Sequence, residues 1–140
     1  MNMLNNETRQ KLIQAAQAAW HRAYAPYSHY AVGAALLTDS GKIYDGINIE
    51  NAVYPLTVCG ERVAVFKAVS EGERAFEAIA VVTKNGATPC GACRQVLAEF
   101  GLDTVVLIAD LEGNLIHELT VADLLPHAFG EADLDAARAK

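Results

Sequence analysis

Apolar positions in this chain follow two patterns, one with helical spacing and one of short unbroken runs. Over residues 6–23, Leu12, Ile13, Ala16, Ala19 and Trp20 recur on one face of a 3.6-residue helix. Asn6 offers an N-cap oxygen and Pro26 a stop. Residues 31–38 and 43–49 are apolar and β-prone, and Asp39-Ser40-Gly41 between them predicts a hairpin turn. Residues 59–70 carry Val63, Phe66 and Val69 with no breaker, a helix that stops near Gly72. Residues 78–83 are continuously apolar up to Thr83, the pattern of a strand covered on both faces. After the Lys84-Asn85-Gly86 loop the spacing predicts a helix over 90–100 with Gly101 just past its end. A second buried strand over 104–109 follows, then a Glu112-Gly113-Asn114 turn and a short strand over 115–118. That turn is too short for a parallel crossover, so the last two strands are antiparallel. Thr120 caps a short helix to Leu125, and residues 131–140 form a final helix or a frayed tail. The resulting order, α-β-β-α-β-α-β-β-α, predicts an α/β fold: a mixed five-stranded sheet with helices on both faces. No repeat, linker or low-complexity tract interrupts it, so residues 1–140 form a single domain on this reading.

Composition narrows the partners. Of 140 residues 52% are hydrophobic and 20% charged, enough apolar material for a folded core. The balance is acidic, 17 Asp and Glu against 11 Lys and Arg, with no basic cluster. Phosphate contacts dominate nucleic-acid affinity, so a polymeric nucleic acid is not the expected partner and a small molecule is. Residues 1–9 are polar and lack the apolar centre of a secretion signal. The longest aliphatic stretches, such as Ala34-Ala35-Leu36-Leu37, are far too short to span a bilayer, so no membrane role is expected. An odd number of cysteines with Cys-x-x-Cys spacing indicates reduced thiols, hence a cytoplasmic location.

The three cysteines carry the chemistry. All of them lie in Cys59-Gly60-Glu61 and Pro89-Cys90-Gly91-Ala92-Cys93, and both motifs fall where a helix is expected to begin. Helix N-termini offer free N–H groups and partial positive charge, which stabilise thiolates. Three thiolates fill three corners of a tetrahedral zinc site, one zinc per chain, and leave the fourth open. Glu61 then stands beside the open corner, where a carboxylate can act first as base and then as acid. Arg62 and Arg94 each follow a motif directly and can donate hydrogen bonds to a sulfur; for Arg94 a solvated surface position fits as well. A closed structural zinc site would need a fourth ligand from His21, His29, His117 or His127, and none lies at finger-like spacing from a cysteine. A redox pair of Cys90 and Cys93 would leave Cys59 and Glu61 without a role.

Cys-x-Glu with Pro-Cys-x-x-Cys resembles the signature of zinc-dependent nucleobase deaminases in the form that holds the metal on three cysteines. With Ala23-Tyr-Ala-Pro-Tyr-Ser28, Val32-Gly-Ala-Ala-Leu-Leu37, Asn48-Ile-Glu-Asn51 and Leu124-Leu-Pro126 before Ala128-Phe129, the chain resembles the small, homotetrameric class of cytidine deaminases from about residue 10 to residue 129. The resemblance implies hydrolysis of cytidine and 2′-deoxycytidine to the uracil nucleosides, with release of ammonia, in pyrimidine salvage. It implies a three-layer α/β/α fold, zinc on Cys59, Cys90 and Cys93, and Glu61 as proton shuttle. Asn48 and Glu50 match residues that bind the ribose 3′-hydroxyl, and Tyr30 a position near the nucleoside that is commonly phenylalanine. Phe129 matches a residue that reaches into a neighbouring subunit's pocket, so the pocket of the homotetramer is shared. From the residue pattern alone, Phe129, Tyr24, Tyr27 and Tyr54 are core packing.

Three positions depart from the family pattern: Gly60 where alanine is usual, Pro55 before the second helix, and His127 where glycine is common. A missing methyl at Gly60 suggests a roomier pocket, tolerant of bulkier groups at N4 or C5 of the base. The alternative enzyme is a deaminase of another aminopyrimidine or nucleoside analogue, for which Asn48 and Glu50 would be unnecessary. A polynucleotide-editing deaminase lacks its basic, aromatic-lined channel here. The non-enzyme alternative is a structural zinc-binding interaction module, for which Glu61 would be dispensable.

Overall fold

The structure is a computed structural model that describes residues 4–138. Residues 1–3 of the polar N-terminal stretch, and the last two of the helix expected over 131–140, lie outside the described residues. Helix α1 spans Asn6–Trp20 and strands β1 and β2 span Gly33–Thr38 and Ile43–Ile47. A 3-10 turn at Tyr54–Leu56 leads to α2 at Gly60–Ser70, then β3 at Phe76–Val82 and α3 at Gly91–Phe100. Strands β4 (Val105–Ala109) and β5 (Leu115–Thr120) follow, with α4 (Val121–Leu124) and α5 (Glu131–Arg138) at the end.

These residues form one five-stranded sheet in the order β2-β1-β3-β4-β5. Only β3 and β4 run parallel, joined through α3; the other neighbours are antiparallel, including the expected hairpin and the expected β4–β5 pair. Alternate residues of the central strands feed two cores. Ala35, Leu37, Ala80, Val82 and Leu107 face Leu12, Ile13 and Ala16 of α1. Leu36, Ile79, Val81, Val106 and Ile108 face Ala64, Val65 and Ala68 of α2 and Leu97 of α3. The result is a three-layer α/β/α sandwich in which a fully buried leucine such as Leu97 or Leu107 stabilises by roughly 1.5–3 kcal/mol.

The ends of several elements differ from the expected ones, and backbone demand explains most of the differences. The cap of α1 is Asn5, not Asn6: its side chain accepts from Thr8 N at 2.8 Å. The helix stops at Trp20, well before Pro26, because Tyr24 is pulled away to bond the segment after β2. Tyr24 N donates to Asn48 O, and Tyr24 O accepts from Glu50 N, both at 3.0 Å. Strand β1 starts at Gly33 rather than 31 because the Asn48 side chain takes Val32 N, and β2 ends two residues early for the same reason. Strand β5 runs two residues further than expected, to Thr120, where a reciprocal Thr120–Asp123 capping box opens α4.

Candidate metal centre and active site

Helices α2 and α3 both point their N-termini at one end of the sheet. Cys59 is the N-cap of α2 and Cys90 that of α3; neither side chain makes a capping hydrogen bond, so neither sulfur is tied up by the backbone of its helix. Cys93 lies in the first turn of α3 and is buried. The Cys59 and Cys90 Sγ atoms are 3.9 Å apart, Cys90 and Cys93 3.3 Å, and all three sulfurs lie within 4.8 Å of one another. Tetrahedral zinc with ~2.3 Å bonds sets its sulfurs ~3.8 Å apart, so this donor set fits that ion. Among the described residues no histidine, Asp or Glu joins the three cysteines as a further ligand, so a closed site has no fourth corner here.

Charge around the sulfurs is graded. Hydrogen bonding with Cys93 pulls the Cys59 thiol down to about 5, against the cost of burial, and Arg62 adds to the pull. The same bond pushes the Cys93 thiol up. Arg62 Nη2 donates to Cys59 Sγ at 3.1 Å, as the sequence suggested. Arg94 does not approach a sulfur. It donates to Pro89 O at 2.8 Å, Leu124 O at 2.7 Å and Thr88 Oγ1 at 3.0 Å, tying the second cysteine motif to the C-terminal segment.

Glu61 is 4% exposed in the first turn of α2. Burial pushes its carboxyl up to about 7, opposed by its own backbone N–H and assisted by the charge at Cys59. A carboxyl poised there can take and return a proton near neutral pH. Beside it opens a cavity of about 310 Å³, lined by Cys59, Cys90, Glu61, Tyr30, Asn48 and Glu50 among others. A broader groove of about 480 Å³ lies on the outer face of α2, between Ile49, Leu56 and Phe66, and contains no cysteine.

Asn48 and Glu50 line the same cavity, and backbone groups hold both. Asn48 Oδ1 accepts from Val32 N at 2.9 Å and its Nδ2 donates to Tyr30 O at 2.8 Å. Glu50 Oε1 accepts from Tyr27 N at 2.9 Å and Ser28 N at 3.0 Å, and Oε2 accepts from the Ser28 hydroxyl. Those bonds, the Ser28 hydroxyl foremost, hold the Glu50 carboxyl below the usual carboxylate range. Asn48 and Glu50 lie beyond β2 rather than on it, yet alternation persists: both are buried while Ile49 between them is 46% exposed. Ser28 was given no role by sequence reasoning. No local signal marks it, since its partner lies 22 positions away.

Some expectations fail. Phe129, core packing by the residue pattern alone, is 57% exposed; it does not line its own chain's cavity, and its carbonyl accepts from Gln95 Nε2 at 2.9 Å. Tyr24, Tyr27 and Tyr54, expected in the core, are all exposed. Gly60 does not open space beside the metal ligands. A Cβ there would lie 3.2 Å from Asn48 N, Ile47 C and Val32 O, all backbone, so it would fill a tight helix–strand contact and not the pocket. His127 stands at φ +55°, a left-handed backbone that glycine adopts without cost.

Comparisons with known proteins agree with this geometry. The family model for the cytidine and deoxycytidylate deaminase zinc-binding region matches residues 6–109. The chain is 53% identical to a cytidine deaminase of Sporosarcina psychrophila over 131 residues, 91% of this chain and 96% of that one. It is 31% identical to a blasticidin-S deaminase of Bacillus cereus, over 83% of this chain and 88% of the relative. The crystal structure of a cytidine deaminase from Burkholderia pseudomallei superposes with a TM-score of 0.82 at 45% identity, covering 90% of this chain and all of that one.

Proposed function

Since the chain belongs to the cytidine and deoxycytidylate deaminase family, we propose that it hydrolyses cytidine and 2′-deoxycytidine to uridine and 2′-deoxyuridine, releasing ammonia. One observation carries the reading: three thiols converge, and two of them, with a buried carboxyl, line a nucleoside-sized cavity that a preset Asn48 and Glu50 also line. Cys59, Cys90 and Cys93 would hold the zinc, which when bound would supply a Lewis acid that acidifies water toward neutral pH. Glu61 takes a proton from the attacking water and passes it to the ring nitrogen as the C4–O bond forms. It then carries the remaining proton to the exocyclic nitrogen; the C4–N bond breaks and ammonia leaves. One group thus does base and acid work. Arg62, on the Cys59 sulfur, offsets the charge of three thiolates.

Asn48 retains a free amide hydrogen, and Glu50 a carboxylate edge at the cavity, to meet the sugar hydroxyls, with Tyr30 flanking the nucleoside. Phe129, exposed and held through its carbonyl, serves a neighbouring subunit's pocket in a homotetramer. Apolar side chains exposed around the groove on α2, among them Tyr54, Leu56 and Phe66, support such an assembly. No described helix is long and apolar enough to cross a membrane. The need to keep the three thiols reduced supports a cytoplasmic location, and one sheet running through all the described strands supports a single catalytic domain over 1–140.

A second reading, deamination of another aminopyrimidine such as a nucleoside antibiotic, draws on the Bacillus cereus relative. An ultraviolet assay on cytidine, deoxycytidine, cytosine and blasticidin S, with zinc measured on the same sample, decides between them. Turnover of the two nucleosides with one zinc per chain is expected. Exclusive turnover of blasticidin S would favour the second reading, and a metal-free active protein would overturn both.

A further inference from the structure

The segment 83–88 continues β3 and lines the cavity through Thr83, Ala87 and Thr88, while Asn48 and Glu50 continue β2, on the other side of β1 in the sheet. An internal relay of hydrogen bonds shapes it. Ala87 N donates to Thr83 Oγ1 at 2.9 Å, and Thr83 Oγ1 donates to Asn85 Oδ1 at 3.3 Å. The same Asn85 oxygen accepts from the Tyr30 hydroxyl at 2.7 Å, a contact between positions 55 residues apart. Thr83 is 3% exposed, so its hydroxyl must keep its partners. The tip of the segment is pressed onto β5: a Cβ at Gly86 would lie 2.7 Å from Ile116 Cγ1. Its far end is clamped by Arg94 through Thr88 and Pro89. Tyr30 provides the only one of these ties that crosses the cavity, and its carbonyl accepts from Asn48 on the other wall.

We infer that Tyr30 and Asn85 form a strap across the cavity mouth that sets the distance between its two walls, with Asn85 a positioning residue that never lines the cavity itself. This rests on the deaminase reading. Asn85 acts through Thr83 and Ala87, holding their surface against the face of a bound base. Phenylalanine at position 30 would keep the ring that flanks the nucleoside and leave Asn85 without its cross-cavity donor.

Tyr30→Phe, Asn85→Ala and the double variant test the strap by steady-state deamination of cytidine, with zinc content measured in each. Each single change is expected to raise KM about three- to tenfold, the worth of one neutral hydrogen bond, with kcat within about twofold. The double variant should cost no more than the worse single, because both remove the same bond. In the nucleoside-free protein, the Ala87 amide should exchange hydrogen faster in Tyr30→Phe than in the parent. Unchanged KM in both singles, effects that multiply in the double, or unchanged Ala87 exchange would each overturn the strap. A parent inert toward cytidine, with faster Ala87 exchange in Tyr30→Phe, would instead overturn the deaminase reading and leave the strap standing.

Discussion

The two ends of the cavity are built by different means. At the metal end, Cys59, Glu61, Cys90 and Cys93 are placed by the first turns of two helices, within short sequence motifs, on a sheet whose central strands are fully buried. At the end proposed to meet the sugar, Asn48 and Glu50 lie off the end of a strand. They are held by side-chain bonds to the backbone of a loop some twenty residues upstream. The first arrangement inherits its rigidity from secondary structure and the second makes its own, one hydrogen bond at a time. Substitutions at the metal end should therefore act all or none, while those at the sugar end should act in increments.

The largest effect is expected from Cys90→Ala. Removing one of three thiolates abolishes zinc retention, and ligand binding to the folded state alone contributes about 4 kcal/mol at a thousandfold excess over Kd. In a chain of this size that loss lowers Tm by roughly 10 °C, alongside complete loss of turnover. Scanning calorimetry with metal analysis measures both, and a variant that keeps zinc and Tm would show that another residue completes the site. Glu61→Gln comes next. It keeps the ligands and the shape but cannot accept a proton, so kcat should fall by about 10³-fold or more while zinc stays at one per chain. If the glutamine variant lost zinc as well, the metal end would be one cooperative unit rather than a ligand set with a separate proton carrier.

That contrast also explains what could be read from the chain. Helix starts at 59 and 90 and the continuous strands near 78–83 and 104–109 follow from local periodicity and motif spacing. That the three cysteines and Glu61 come together was therefore legible before any coordinates. Ser28, Asn85 and the true contacts of Arg94 were not, because each depends on a partner brought near only by the fold: Glu50, Tyr30 and Leu124. The exposure of Tyr24, Tyr27 and Tyr54 was missed for a related reason. An aromatic residue in a loop has no period to show which way it faces, so its apolar ring alone placed each of these three inside.

Ser28→Ala tests the incremental end. The hydroxyl is one of three donors to Glu50, and the backbone donors from Tyr27 and Ser28 survive the change. KM for cytidine should rise about three- to tenfold with kcat and zinc little altered. The Ser28 hydroxyl helps hold the Glu50 carboxyl down, so its removal raises that pKa. Binding that needs the carboxylate is present above the pKa and lost as pH falls through it. The acid limb of the 1/KM profile should therefore move to higher pH in Ser28→Ala. An unshifted limb would mean that Glu50 is not the group whose ionisation binding requires.

The smallest effect is expected where the two ends touch. Gly46 and Gly60 let α2 lie directly on β2: a Cβ on Gly46 would fall 2.3 Å from Gly60 O and 2.5 Å from Ala64 N. Gly60 stands between Cys59 and Glu61, and its own missing Cβ faces the backbone of Ile47, Asn48 and Val32 at 3.2 Å. Gly60→Ala adds a methyl to that seam, and since every neighbour is backbone, either α2 or the Asn48 segment must give by a few tenths of an ångström. Alanine also favours the helix over glycine by up to about 1 kcal/mol, which offsets the crowding, so Tm should move by no more than about 3 °C. The metal ligands move with their helix, leaving zinc binding and kcat intact. The sugar wall does not move with them, so the span between Glu61 and Asn48 changes and KM should rise about two- to threefold. A KM unchanged in Gly60→Ala would mean that the seam absorbs the methyl without passing it on, and that the two ends of the cavity are set independently. A fall in kcat with unchanged KM would place the strain on the Glu61 side instead, making the metal end the softer of the two.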